Sequence, residues 1–157
     1  MQDSHKNEKR VKELYEKYPY PSRQNATDKK VKNFVKWVSS IFGENFDYWK
    51  GKNVLELGCG TGELANGLAL CGANVYAIDF SSSSIKKAKE LSKKLGTKVK
   101  FEEKNILEFK SEKKYDVVIA LGSLHHTINA KKGFENGISC LKKDGLIVIG
   151  LYNKYSR

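Results

Sequence analysis

The stretch VLELGCGTGELA, residues 54–65, decides the fold. Val54, Leu55 and Leu57 form a short apolar run, the pattern of a strand covered on both faces. Gly58, Gly60 and Gly62 follow at once, where the chain must turn sharply and let its backbone approach a ligand. Leu64, Ala65, Leu68 and Ala69 then recur at helical spacing. Strand, glycine turn and helix form the nucleotide-site unit of an open α/β sheet. A turn with no ligand is the alternative reading of the same residues.

The pattern repeats downstream. Val75 to Ile78 is a second short strand ending in Asp79. Ser81 to Ser84 offer helix N-caps, and Ile85, Ala88, Leu91 and Leu95 make a helix closed by Gly96. Val99 and Phe101 alternate with polar residues, so a third strand has one more exposed face. DVVIAL (116–121) reads as a central strand. A helix over 130–141, a turn at Lys142 to Gly145 and a fifth strand, LIVIGL (146–151), follow. Strands alternating with helices predict a doubly wound, mostly parallel, Rossmann-like α/β sheet.

Upstream, Val11, Leu14, Tyr15 and Tyr18 form one helical stripe that stops at Pro19. Thr27 or Asp28 can cap a second helix that buries Val31, Phe34, Val35, Val38, Ile41 and Phe42 and ends at Gly43. The expected organisation is a helical leader or lid over 1–50 and a ligand-binding core over 51–157.

The glycine spacing separates two cofactors. A dinucleotide fingerprint, G-x-G-x-x-G, lays the first helical turn under a pyrophosphate. Here the sixth position is Glu63, whose carboxylate repels a pyrophosphate, and Glu56 adds a second acid inside the strand. Both suit a ligand that is cationic near the loop. S-adenosylmethionine carries a sulfonium, an ammonium and no phosphate. The E-x-G-x-G-x-G pattern of Glu56 to Gly62 resembles the first motif of class I S-adenosylmethionine-dependent methyltransferases of the small-molecule type. The leader YEKYPYPSR (15–23) resembles one that precedes this core in some bacterial members, where it lies over the cofactor.

The resemblance runs from the leader to the fifth strand. It implies S-adenosylmethionine as cofactor, S-adenosylhomocysteine as product, and a cofactor site at Glu56, Gly58, Cys59, Gly60, Asp79, Phe80, Asn105, Ile106 and Leu121. Asp79 stands where a doubly wound site puts its ribose-binding acid, which equally can cap the next helix. Phe80 walls the adenine or belongs to the core. Asn105 replaces the family's usual acid; its amide oxygen can accept the same adenine bond without the charge. His125 and His126, in Leu-His-His-Thr, either face the acceptor or pack the loop after the fourth strand. Tyr15, Tyr18 and Tyr20 either cover the sulfonium with aromatic faces or simply dock a helix. No catalytic base is assigned, and no metal site is expected.

Composition narrows the rest. Cys59, Cys71 and Cys140 are too widely spaced for a zinc site or a disulfide frame, which points to a reducing, cytoplasmic setting. No apolar run nears the about 18 residues of a membrane span. The net charge of +11 comes from 26 lysines and only three arginines. Arginine is the residue that forks onto phosphates and bases, so a nucleic-acid partner, as for an RNA methyltransferase, is disfavoured. The acceptor is expected to be a small molecule. A non-catalytic cofactor-binding or partner-binding domain and an NAD-dependent oxidoreductase are the competing classes, and Glu63 opposes the second. The resemblance also implies two strands beyond the fifth. Without them LIVIGLY is a bare apolar edge, which a further C-terminal segment or a dimer partner is expected to cover.

Overall fold

In the computed structural model, which describes residues 2–20 and 26–152, five strands alternate with helices. The strands are β1 (Asn53–Leu57), β2 (Asn74–Asp79), β3 (Lys100–Glu103), β4 (Tyr115–Leu121) and β5 (Leu141–Gly150). The helices are α1 (Gln2–Lys17), α2 (Asp28–Ser40), α3 (Glu63–Leu70), α4 (Ser82–Leu95) and α5 (Ala130–Ser139). Every strand pairing is parallel and the order is β3-β2-β1-β4-β5. The order reverses at β1, so β1 and β4 flank the crevice where open α/β sheets bind ligands.

Strand periodicity sorts the core into two layers. Val54, Val117 and Ile119 point into one layer with Leu64, Leu68 and Ile85 from α3 and α4. Leu55, Val118 and Ala120 point into the other with Leu124 and Cys140. Glycines on α5 let it approach that second layer: a Cβ on Gly137 would lie 3.2 Å from Leu57.

Helix α2 packs into the core and also borders the cavity described below. Val31, Val35 and Val38 are fully buried, and so is Trp49, whose indole N–H donates to Ser39 Oγ at 2.8 Å. A Cβ built on Gly67 of α3 would come within 2.6 Å of the Val31 carbonyl, so the two helix backbones nearly touch. The short α3 cannot cover its side of the sheet alone, and the apolar stripe of α2 completes the layer. Of the leader expected over 1–50, only α1 stays outside that layer. Helix α2 is capped by Thr27, which accepts from the Lys30 N–H, and ends at Ser40, short of Gly43.

The turn expected at Lys142 to Gly145 is absorbed into β5. Tyr115 pairs with Leu141 and Val117 with Leu146, so two steps of β4 face five of β5 and the extra residues bulge. Asp116 holds the distortion. One carboxylate oxygen meets Lys142 Nζ at 2.7 Å and the other accepts the Asn53 N–H at 2.8 Å.

Gly67→Ala adds a methyl where the α2 backbone already stands. The overlap costs roughly 1–3 kcal/mol, against a gain of up to about 1 kcal/mol from helix propensity. Thermal unfolding of the variant is expected at a lower Tm; a higher Tm would mean the helices are not this close.

Candidate cofactor and acceptor site

Three strand ends are tied together around the glycine loop. The Gly58 and Cys59 N–H groups both donate to the Ile78 carbonyl, at 2.8 and 3.0 Å, stitching the loop to the end of β2. Asp79 accepts the Gly60 N–H at 2.8 Å and the Ser81 N–H at 2.9 Å. Gly58 has φ +77°, and a Cβ there would lie 2.3 Å from the Ser123 Cβ. Only glycine admits the loop after β4 so closely. Ser123 Oγ then donates to the Leu57 carbonyl at 2.7 Å. Above these ties lies a cavity of about 460 Å³, large enough for a nucleoside-sized ligand.

The cavity floor is acidic. Glu56 is buried and its Oε2 has no hydrogen-bond partner. Burial, then the charges of Glu63 and Asp79, push its carboxyl up to about 8, against a lowering bond from the Ala65 N–H. Glu63 is also buried and accepts from Thr61 Oγ1 at 2.8 Å. Burial raises Asp79 too, opposed by the backbone N–H groups of Ser81, Gly60 and Phe80. Among the described residues the only lysine or arginine lining the cavity is Lys12. It pairs with Glu103 at 2.7 Å and lies 4.9 Å above the Phe80 ring. Buried acids with an orphaned oxygen call for a cationic or hydrogen-bond-donating ligand.

The cofactor-side residues expected from the sequence all border this cavity, from Glu56, Gly58, Cys59 and Gly60 to Asp79, Phe80, Asn105, Ile106 and Leu121. Asn105 also serves its own loop, because its Oδ1 accepts the Leu107 N–H at 2.9 Å and caps the turn after β3. Burial pushes the Cys59 thiol well up, which keeps it protonated and inert.

The acceptor-side candidates divide. Tyr15 and Tyr20 line the cavity, but Tyr18 does not; it is 60% exposed, with Lys17 Nζ 5.2 Å from its ring. Its place in the helical stripe carries it past the opening. His126 lines the cavity, edge-on to Tyr15 at 5.8 Å, while His125 does not line it. His125 packs against His126 and Tyr152, at 4.1 and 4.7 Å between ring centres, and both its ring nitrogens are buried without partners. Burial, then the neighbouring His125, lowers the pKa of His126, which favours a neutral ring able to take a proton.

Sequence reasoning missed how α1 is anchored. Glu16 accepts the Ser82 and Ser83 N–H groups, at 2.6 and 3.1 Å, and the Ser82 hydroxyl at 3.1 Å. Slight burial opposes ionisation, but these bonds hold Glu16 below its usual value. The Tyr15 carbonyl accepts from Ser81 Oγ and Ser83 Oγ, at 3.2 and 3.3 Å. Helix α1 thus supplies an acid to the N-terminus of α4, where the helix dipole favours one. The signal was the serine run 81–84: one serine, Ser81, suffices as the N-cap, leaving others for a partner. Trp37 and Tyr152, also on the cavity wall, carried no motif.

Residues 49–156 match the family described as a methyltransferase domain. The chain belongs to that family, the class I S-adenosylmethionine-dependent kind that its first motif resembles. It is similar to the ubiquinone biosynthesis O-methyltransferase of Rickettsia canadensis, 36% identical over 104 residues, 66% of this chain and 44% of that protein. The corresponding Rickettsia bellii protein is 30% identical over 134 residues, 85% of this chain and 51% of its own length. The chain therefore spans about half the length of these curated relatives or less. The magnesium protoporphyrin IX methyltransferase of Synechocystis PCC 6803, solved with bound SAM, shares the fold. Its TM-score is 0.69 at 20% identity, over 87% of this chain and 72% of that one. Among the described residues no helix is long and apolar enough to cross a membrane, and no acidic, histidine or cysteine cluster could hold a metal ion.

The raised Glu56 pKa fixes a sign. The folded carboxyl keeps a proton that the unfolded chain releases above its ordinary value of 4.5. Its contribution is fully present below that value and is lost as pH rises through about 8. Between roughly pH 5 and 8 the unliganded protein is expected to lose Tm more steeply than Glu56→Gln. Parallel Tm curves would show that Glu56 titrates normally.

Proposed function

We propose that this domain binds S-adenosylmethionine in the acidic cavity and directs its methyl group to a small-molecule acceptor. The observation that carries the reading is the unpartnered Oε2 of Glu56, buried beside Glu63 and Asp79 on a glycine loop. A dinucleotide would bring pyrophosphate to that floor. S-adenosylmethionine brings positive charge and, when bound, supplies an electrophilic methyl on sulfur.

The cavity residues then divide the work of binding and alignment. Glu56 and the other floor acids offset the ligand's positive charge. Asp79, whose carboxylate already faces the N–H groups of Gly60, Ser81 and Phe80, has a remaining acceptor site for the ribose hydroxyls. Phe80 would wall the adenine, Ile106 would supply the apolar edge beside it, and Asn105 would receive its amino group. Leu121 ends the strand whose following carbonyls meet the ammonium. Helix α1 would act as the lid, with Tyr15 on it and Tyr20 beyond its end bordering the cavity and excluding water from a bound sulfonium. His126, neutral beside Tyr15, takes the proton of a hydroxyl acceptor as it is methylated.

Calorimetric titration with S-adenosylhomocysteine, with NAD as the control, tests the reading directly. Micromolar binding of the first and none of the second is expected. Asp79→Ala should weaken S-adenosylhomocysteine by about tenfold or more while the fold is retained, since a charge-assisted hydrogen bond is lost. Unchanged affinity would remove Asp79 from the ribose. In buffers of different ionisation heat, binding near neutral pH should release a proton from Glu56, a release that Glu56→Gln abolishes.

A further inference from the structure

The mouth of the cavity is apolar and faces solvent. Tyr20, Trp37 and Ile128 all border it, and their exposure runs from 43% to 61%. A gathered apolar rim of this kind marks a contact surface more often than an ordinary protein exterior. Trp37 stands on α2, and spacings of four and seven put Ile41, 55% exposed, and Lys30 on its stripe. Lys29 and Lys36 flank that stripe and are likewise exposed. None of these three lysines has an ion-pair partner among the described residues. Free lysines beside an exposed tryptophan and aliphatic side chains are the makeup of a surface that lies on a membrane without crossing it.

We propose that the cavity mouth seats on an anionic lipid bilayer, with Trp37 and Ile128 at the acyl boundary and Lys29, Lys30 and Lys36 among the headgroup phosphates. Charge complementarity chooses the occupant: the chain carries +11, and its cations on this face are lysines, which serve as point charges for headgroups. Nucleic acid fits less well. The chain has only three arginines, the residue that forks onto phosphates and base edges. An acceptor dissolved in the membrane would then enter the cavity without crossing water. That consequence rests on the methyl-transfer reading; the lipid contact does not.

Co-sedimentation of the full chain with phosphatidylcholine vesicles, with and without phosphatidylglycerol, tests the contact. Binding is expected only to the anionic vesicles, with a blue shift in tryptophan emission. Trp49 is fully buried and Trp37 is exposed, so the shift reports on Trp37. Each lysine near an anionic surface contributes roughly fivefold to partitioning. The triple variant Lys29→Gln, Lys30→Gln, Lys36→Gln should therefore lose about a hundredfold. Lys113→Gln with Lys114→Gln, at the end of β4 away from the cavity, should bind as the parent does. No sedimentation of folded chain, undiminished binding of the triple variant, or an unmoved emission maximum each overturns the proposal. Tighter binding to single-stranded RNA than to the vesicles does so as well. S-adenosylhomocysteine titration of the same triple variant separates the two readings. Retained nucleoside binding with lost vesicle binding supports both, whereas a parent chain that binds vesicles but not S-adenosylhomocysteine overturns methyl transfer alone.

Discussion

Gly58 has no side chain, and Ser123 fills the space where one would stand. This contact brings the loops after β1 and β4 together at the point where strand order reverses. Parallel strands need long crossovers, so their carboxyl ends all emerge on one rim and their loops compete for it. The Ser123 hydroxyl on the Leu57 carbonyl and the paired N–H groups on the Ile78 carbonyl fasten three strand ends. What remains between them is the cavity. Any side chain at Gly58 would separate β1 from the loop of β4 and open the floor.

That floor is electrostatically uncomfortable when empty. Burying one carboxylate near others disfavours ionisation, and Glu56 responds by holding a proton. Asp79 is treated differently by its surroundings. Backbone N–H groups from Gly60 and Ser81 face its carboxylate and oppose the effect of burial. One acid is therefore tied into the loop, and another keeps an oxygen without a partner. A cationic ligand relieves both the repulsion and the orphaned oxygen, so binding and local stability are linked.

The roof is built by a different device. Helix α1 is outside the sheet layers and is held by its C-terminal turn, where Glu16 and the Tyr15 carbonyl meet the serines opening α4. Those bonds begin only two residues beyond Asp79 in the chain. The same strand end thus positions the acid on the floor and the helix over the cavity. Few buried apolar contacts are needed for such a docking, because the serine and Glu16 bonds carry it.

Much of the architecture was legible in the sequence because its signals are local. The run Val54 to Leu57, the glycines after it and the alternation of strand and helix periods specify a parallel α/β sheet. The acids at Glu56, Glu63 and Asp79 are readable from spacing alone. Local patterning failed where the decision lay with partners distant in sequence. An apolar stripe on α2 says that the helix is buried, but only the 2.6 Å approach of Gly67 to Val31 says against what. The segment Lys142 to Gly145 has turn chemistry, yet its bulge is set by pairing with β4 and by Asp116. Tyr18 sits in the same stripe as Tyr15, and one faces solvent while the other faces the cavity, because the docking angle of α1 is fixed by serines 66 or more residues away. The sequence by itself determined the periods, the turns and the charges. Tertiary structure alone decided which side chains converge, because convergence depends on long-range contacts that no local period encodes.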